Sequence, residues 1–290
     1  MLFALLKTMR PRQWAKNAVV FTALVFDVKL FDPAYLVRTA IAFALLCLLS
    51  SAVYILNDIA DIEKDRQHPT KRFRPLAAGT LSNGTAVAAA IVFLIVAIGG
   101  AFVLSMGFGA LALLYFVVNL LYSFWLKHVV IVDVLMVSAG FIIRVGAGTV
   151  LFPVQRFSPW LYVCMTLLSL FIILGKRRHE ITLLAHGANN HRAVLANYNL
   201  DLLDHMISIV TTSAVIAYSF YTFSAENLPK NHTMMLTVPF VLYGIFRYLY
   251  LIHVRQEGGA PDELLFRDRP LLITVALWGL AVVGVLYFLR

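Results

Sequence analysis

Apolar residues fill this chain in long blocks, separated by short polar stretches. A helix crossing about 30 Å of hydrocarbon needs about 20 residues. Nine blocks approach that length: Trp14–Phe31, Leu36–Leu56, Thr85–Ser105, Phe108–Leu126, Val129–Leu151, Pro159–Leu174, Leu203–Ser224, Met235–His253 and Leu271–Leu289. Backbone groups inside a bilayer must bond within their own segment, so such blocks predict α-helices, and the alternation of a membrane β-barrel is not seen. The third and fourth blocks are joined by two residues, which predicts an antiparallel hairpin. The expected fold is all-α: a polytopic integral membrane protein with nine transmembrane helices in one domain, residues 1–290.

Composition agrees. Apolar residues make up 61% and charged residues 13%, with mean hydropathy +0.82; soluble domains sit near about 45–50% and about 25%. A soluble globular enzyme, a disordered chain and a nucleic-acid module are excluded. The net charge of +9 does not suggest nucleic acid, because its distribution follows topology. Seventeen Lys and Arg fall in the N-terminus and the 2–3, 4–5, 6–7 and 8–9 connections, among them Lys127, Arg192, Arg255, Arg267 and Arg269. Five lie on the other side: Lys29, Arg38, Arg156, Lys230 and Arg290. This places the N-terminus in the cytoplasm and the C-terminus outside, in a plasma (inner) membrane. Asp27 and Lys29 interrupt the first block and no small-residue cleavage site follows, so it reads as a retained span. Cys47 and Cys164 lie in apolar blocks and imply no disulfide framework.

The end of the second block carries the candidate chemistry. At about 100° per residue, Asn57, Asp58, Asp61 and Asp65 share a stripe about 100° wide, along roughly 12 Å of helix. Mutual repulsion makes such a stripe costly unless cations sit among its members, and hard oxygen ligands suit Mg²⁺, which bridges carboxylates to substrate phosphates. A solvated helix end with pairs such as Asp61–Lys64 is the simpler alternative. Glu63 points off the stripe. Pro69 and Pro75 stop the helix, and the loop they make carries Lys71, Arg72 and Arg74, either a phosphate clamp or topology anchors.

Asn57-Asp58-x-x-Asp61-x-x-x-Asp65 resembles the first aspartate motif of the UbiA superfamily of intramembrane prenyltransferases, over nearly the whole chain. That family has a second acidic motif in the 6–7 loop. Here the loop opens Gly175-Lys176-Arg177-Arg178-His179-Glu180, basic instead, and Asp201 and Asp204 come later. This departure is similar to the decaprenyl-phosphate phosphoribosyltransferase branch, which supplies the arabinose precursor of actinobacterial cell walls. Further stretches look like that branch: Met9 to Asn17, His68 to Leu76, Tyr122-Ser123-x-x-Leu126-Lys127, Gly140-Phe141-x-x-Arg144, Gly175 to Glu180, and Pro261 to Arg269.

The resemblance implies a Mg²⁺-dependent pentosyltransferase that moves phosphoribosyl from phosphoribosyl pyrophosphate to a polyprenyl (decaprenyl) phosphate. Asn57, Asp58, Asp61 and Asp65 would hold the metal, with Asp58, Asp61 and Lys127 central to catalysis. Arg66, Lys71, Arg74, Tyr122, Lys127, Lys176 and Arg177 would take the donor's phosphates. Arg10, Gln13, Lys16, Asn17 and Arg144 would meet the lipid phosphate. An acceptor phosphate is already anionic, so no general base is needed, in keeping with the lack of a Ser/His/Asp or Cys/His arrangement.

Each residue also has a plainer reading. Lys127 can be a snorkelling anchor, and Tyr122 an interface aromatic. Arg144 lies mid-span, needs an anionic partner, and has Asp133 or a bound phosphate as candidates. Glu180 can pair with Lys176 at i,i+4. Arg267, Asp268 and Arg269 suit either a clamp or a salt-bridged helix start. Arg247 reads as structural, and His68, His179, His186 and His191 as loop residues without metal-ligand spacing. Gly140, Gly146 and Gly148 permit close helix approach or a groove for the lipid tail. Two other functions compete: a prenyltransferase with a prenyl diphosphate donor and an aromatic or other small acceptor, and a transporter, which favours midplane charges over acids gathered at one face. The sequence is compatible with a homo-oligomer.

Overall fold

The computed structural model describes residues 1–68, 70–154, 158–185, 193–226 and 228–289. Pro69, Arg156, His186, His191, Arg192, Arg290 and the side chain of Asp262, all invoked above, lie outside the described residues. Among the latter every regular element is helical. In chain order they are α1 (Leu2–Met9), a 3₁₀ helix (Pro11–Phe21), α2 (Thr22–Phe26), α3 (Pro33–Ala60), α4 (Ile62–Gln67), α5 (Asn83–Leu104), α6 (Met106–Phe124), α7 (Val132–Thr149), α8 (Pro159–Ala185), α9 (Leu200–Ser224), α10 (Val238–His253), α11 (Pro261–Arg267) and α12 (Arg269–Phe288), with further 3₁₀ turns between. Among the described residues eight helical stretches are long and apolar enough to cross a bilayer: α3, α5, α6, α7, α8, α9, Thr233–His253 and α12. This is a multi-pass membrane protein.

Two sequence expectations change. The block Trp14–Phe31 forms no α-helix of spanning length; it is the 3₁₀ helix followed by α2. Polar Gln13, Lys16 and Asn17 break its apolar surface, and the Asn17 amide is used internally, donating to Ser50 Oγ at 3.2 Å and Cys47 Sγ at 3.4 Å. A 3₁₀ helix rises about 2.0 Å per residue against 1.5 Å for an α-helix, so eleven residues cover about 22 Å. The sixth block is longer than expected. Gly175 to Glu180 belong to α8 and not to a loop, because Lys, Arg and Glu are good helix formers and Arg177 pairs with Glu180 at i,i+3.

The chain packs as two compact units. The first comprises Met1–Leu24, Leu30–Trp125 and Ile143–Pro153. Its axis is α3, on which α1, the first 3₁₀ helix, α5 and α6 pack. Pro33 opens α3 and the Asp32 carboxylate caps it, accepting from the Ala34 and Tyr35 amides. Ala86, Ala90, Ala97 and Ala101 give α5 a buried small-residue face. Met9, Ile55, Ile62, Leu76, Leu81, Ala86 and Ala90 form one apolar cluster beneath the loop after α4. A Cβ at Gly148 would lie 2.3 Å from the Val20 carbonyl oxygen, so only glycine lets α7 meet that backbone.

The second unit comprises Val25–Lys29, Leu126–Ile142 and Val154–Arg290. Here α8 and α9 form its most extensive pairing. One core joins Phe171 and Leu174 to Leu203, Ile207, Tyr248, Leu251 and Ile252. Another joins Leu161, Tyr218, Tyr221 and Met234 to Val282, Val285 and Leu286.

Candidate active site

In the first unit the acidic stripe faces inward. The helix breaks at Asp61, which has φ −102° and ψ 9°, but its amide still donates to Asn57 O and its carbonyl accepts from the Asp65 amide. The stripe therefore stays nearly continuous across the break. Asp58 and Asp65 are buried, with 2% and 3% of their surface exposed, and Asp61 is half-buried. Glu63 is exposed and pairs at 2.8 Å with Arg66, itself exposed.

Two arginines meet these carboxylates. Arg10 Nη2 donates to Asp58 Oδ1 at 2.5 Å while its guanidinium lies over the Tyr54 ring, 4.8 Å from the centroid. Arg74 Nη1 lies 3.1 Å from Asp58 Oδ1 and 2.7 Å from Asp65 Oδ2, bridging both acids. Arg74 is held there by a turn in which His68 Nδ1 accepts from the Thr70 and Lys71 amides. Beside this cluster opens a cavity of about 260 Å³ lined by Lys7, Arg10, Asp58, Thr70, Phe73, Arg74 and Pro75. Lys7 escaped the sequence reading, which counted it only for topology; its signal is the i,i+3 spacing to Arg10.

Other expected residues of this unit are placed differently. Asn17, expected at a lipid phosphate, is buried against α3, and its neighbour Trp14 donates to Ser51 Oγ at 3.0 Å. Arg144, expected at the same phosphate, is buried: Nη2 donates to the Tyr115 hydroxyl at 2.7 Å, and the guanidinium lies over that ring at 4.7 Å. Gln13, Lys16 and Tyr122 are half-buried and Lys71 is exposed.

The second unit holds a different cluster. Arg177, expected to bind a donor phosphate, is buried and spent on protein groups: Nε donates to Asp133 Oδ2 at 2.9 Å and Nη1 to Glu180 Oε2 at 2.6 Å. The other Asp133 oxygen accepts from the Tyr198 hydroxyl at 2.7 Å, which accepts from the Ile131 amide. Burial, then the bond to Asp133, pushes the Tyr198 pKa up to about 12, so the phenol keeps its proton. Asp133 is thus the partner of Arg177, not of Arg144, and Glu180 pairs with Arg177, not Lys176. Lys176 is exposed, and Lys127 is half-buried in the 3₁₀ turn Leu126–His128. Arg178 donates to Asp204 at 2.6 Å. Asp268 caps α12 through the Leu271 amide and takes Arg247 bidentately at 3.1 and 2.7 Å, which makes Arg267 to Arg269 a salt-bridged helix start.

Two buried acids at the end of an apolar helix are thus bridged by arginines. The UbiA prenyltransferase family profile matches residues 18–268. The chain belongs to the UbiA prenyltransferase family. It is a membrane transferase of that family, 33% identical over 285 residues to the decaprenyl-phosphate phosphoribosyltransferase of Mycobacterium tuberculosis, covering 96% of this chain and 92% of that one. The enzyme of the same name from Corynebacterium glutamicum is 33% identical over 294 residues, 98% of this chain and 87% of the other. The fold matches a UbiA homolog from Archaeoglobus fulgidus bound to GPP and Mg²⁺ with TM-score 0.72 and 17% identity, over 98% and 99% of the two chains.

UbiA relatives with Mg²⁺ raise the question whether these residues suit such an ion. Their chemistry does: the stripe offers only hard oxygen ligands, and Asp58 and Asp65 already converge on one cationic nitrogen, Arg74 Nη1. Asn57 and Asp61 make no side-chain hydrogen bond to another described residue. Among the described residues no three Asp, Glu, His or Cys side chains gather into a metal-sized cluster; arginines pair with Asp58 and Asp65.

Proposed function

We propose that this UbiA-family enzyme transfers 5-phosphoribosyl from phosphoribosyl pyrophosphate to a polyprenyl phosphate, with residues 1–290 acting as one transferase domain. The observation that carries the reading is the meeting of Arg10 and Arg74 at buried Asp58, in the wall of a polar cavity. It is supported by the near full-length similarity to enzymes named decaprenyl-phosphate phosphoribosyltransferase and by the basic run Lys176-Arg177-Arg178, where UbiA prenyltransferases are acidic.

Asn57, Asp58, Asp61 and Asp65 would hold a divalent ion, which when bound would supply charge neutralisation for the diphosphate. Arg10 and Arg74 each have five N–H donors, more than Asp58 and Asp65 consume. They therefore bind and orient phosphate oxygens next to the acids. Lys7 and Lys71 add positive charge on the same side. In the second unit, Lys127 and Lys176 keep a phosphate-binding role; Arg177 does not, since its guanidinium is buried and paired with both Asp133 and Glu180. A lipid-phosphate oxygen forms a bond to C1 of the ribose. The bond from C1 to the diphosphate breaks, and the diphosphate departs with the electron pair. The nucleophile is already an anion, so positioning and electrostatics carry the rate. The helix ends and loops holding these residues face the cytoplasm, by the excess of Lys and Arg there.

The test is purified protein in detergent with Mg²⁺, labelled phosphoribosyl pyrophosphate and a polyprenyl phosphate. Label entering the lipid phase supports the reading. No transfer, together with activity on a prenyl diphosphate and 4-hydroxybenzoate, overturns it in favour of the prenyltransferase.

A further inference from the structure

The N-terminal helix is apolar on the side it packs and also on the side it shows. Half-buried Ala4 and Leu5 and buried Thr8 and Met9 pack inward on α3 and its neighbours. On the opposite arc Leu2, Phe3 and Leu6 are 71%, 82% and 41% exposed. At about 100° per residue those three span about 100° of helix surface. Phe73, whose carbonyl accepts from Lys7 Nζ at 3.4 Å, is a further aromatic ring 62% exposed.

We propose that α1, together with Phe73, lies in the boundary between the head groups and acyl chains of the leaflet, with Leu2, Phe3 and Leu6 in contact with lipid. A helix apolar on both its packed and its exposed arc, with only Lys7 charged, needs an apolar surrounding on both. The bilayer that receives α3 supplies it, because α1 is level with the end of that span. Along α3, Arg38 and Asp58 are twenty positions apart, about 30 Å of helix, which is the hydrocarbon thickness. The Met9 carbonyl accepts from Ser51 Oγ at 3.2 Å, seven residues or about 10 Å inside Asp58. That depth is where interfacial helices lay their apolar faces, about 5–10 Å into the boundary. The chain turns at the same level. Arg10 adopts left-handed φ 54° and ψ 63°, ends α1 and starts the 3₁₀ helix that runs antiparallel to α3, from Asp58 at Arg10 through Ser51 at Trp14 to Cys47 at Asn17. Lys7 and Arg10 flank the apolar face with positive charge, which complements anionic head groups. An interfacial α1 also fixes Lys7 and Arg10, two walls of the cavity, at the height of a lipid phosphate.

The test needs no activity and stands apart from the assigned substrate. The full chain with Cys47→Ala and Cys164→Ala receives a single nitroxide at Phe3→Cys, Leu6→Cys or the exposed control Glu63→Cys. It is then reconstituted in phosphatidylcholine–phosphatidylglycerol vesicles. Labels at positions 3 and 6 are relaxed several-fold more by oxygen than by water-soluble nickel chelate, and the label at 63 shows the reverse. Equal accessibility of all three to the nickel chelate overturns the proposal. A second measurement keeps both native cysteines: Phe3→Trp in vesicles containing brominated lipid loses more fluorescence than the parent with its four tryptophans. Quenching equal to that of the parent contradicts the interfacial placement.

Discussion

Arg10 donates to Asp58 across forty-eight residues of sequence, with 2.5 Å between Nη2 and Oδ1. The contact ties the turn after the N-terminal helix to the buried acid at the end of α3. Arg74 reaches the same oxygen from the loop after α4. Two segments distant in sequence thus meet at one carboxylate, and that convergence makes the first unit's acidic stripe a candidate binding site.

Arg74 compensates Asp65 as well as Asp58, so its removal strands a buried charge. Breaking a fully buried pair costs about 3–5 kcal/mol. Arg74 is 29% exposed, so R74A is expected to cost less, about 2 kcal/mol in denaturant unfolding in micelles. Adding D65N to R74A restores about 1 kcal/mol of it, because the stranded charge is gone. A double variant no more stable than R74A would show that the two groups are not coupled.

Neighbouring Lys176 and Arg177 should behave oppositely. Arg177 and Asp133 are 4% and 0% exposed at the side chain, so R177M or D133N lowers stability by about 3 kcal/mol or more. K176A leaves the unfolding midpoint within about 1 °C of wild type and raises KM for phosphoribosyl pyrophosphate about tenfold, the loss of one charged phosphate contact. If K176A unfolds early while R177M changes only KM, the two assignments are reversed.

Acid should erase one stabilising contact near α12. The hydrogen bonds from Arg247, helped by the Leu271 amide, hold the Asp268 carboxyl below its usual range. A lowered folded-state pKa gives stability that is present above about pH 4 and is lost as pH falls through the lower folded value. Asn caps a helix as well as Asp, so D268N is expected to cost only the screened ion pair with Arg247, at most about 1 kcal/mol at pH 7, with the gap to wild type closing below about pH 4. A gap independent of pH would contradict the charge-based account.

Glycine at 148 is required by backbone contact. G148A must move the Val20 carbonyl and should cost about 1–3 kcal/mol. G99A, on α5 with nothing within 4 Å of the new Cβ, should be neutral or slightly stabilising by the helix propensity of alanine.

Much of this architecture was legible in the hydropathy pattern. The long apolar blocks became eight spanning helices among the described residues, and the Asn57 to Asp65 spacing marked one helix face, of which Asp58 and Asp65 are buried. The block at Trp14 misled because hydropathy does not register that Asn17 finds partners on α3 and that the backbone winds as 3₁₀. The end of α8 misled because Lys and Arg suggest a loop, while the i,i+3 pairing of Arg177 with Glu180 suits a helix. Among the candidate site residues, charge alone could not separate Arg74, which faces Asp58 and Asp65, from Arg177 and Arg144, which are buried in contacts of their own. Pairing across forty or more residues carries no local signal, so Arg10 with Asp58 and Arg177 with Asp133 emerge only from the fold.

The most direct measurement is the rate of label transfer from phosphoribosyl pyrophosphate to polyprenyl phosphate by D58N and E63Q, side by side with wild type. Asp58 is buried at the meeting point of Arg10 and Arg74, and Glu63 is solvated on α4, five residues further on across the break at Asp61. The account predicts a loss of at least about 100-fold for D58N, the scale of removing one electrostatic contact made in the transition state, and a rate within about twofold of wild type for E63Q. Near-normal transfer by D58N, in protein that remains folded, would contradict it.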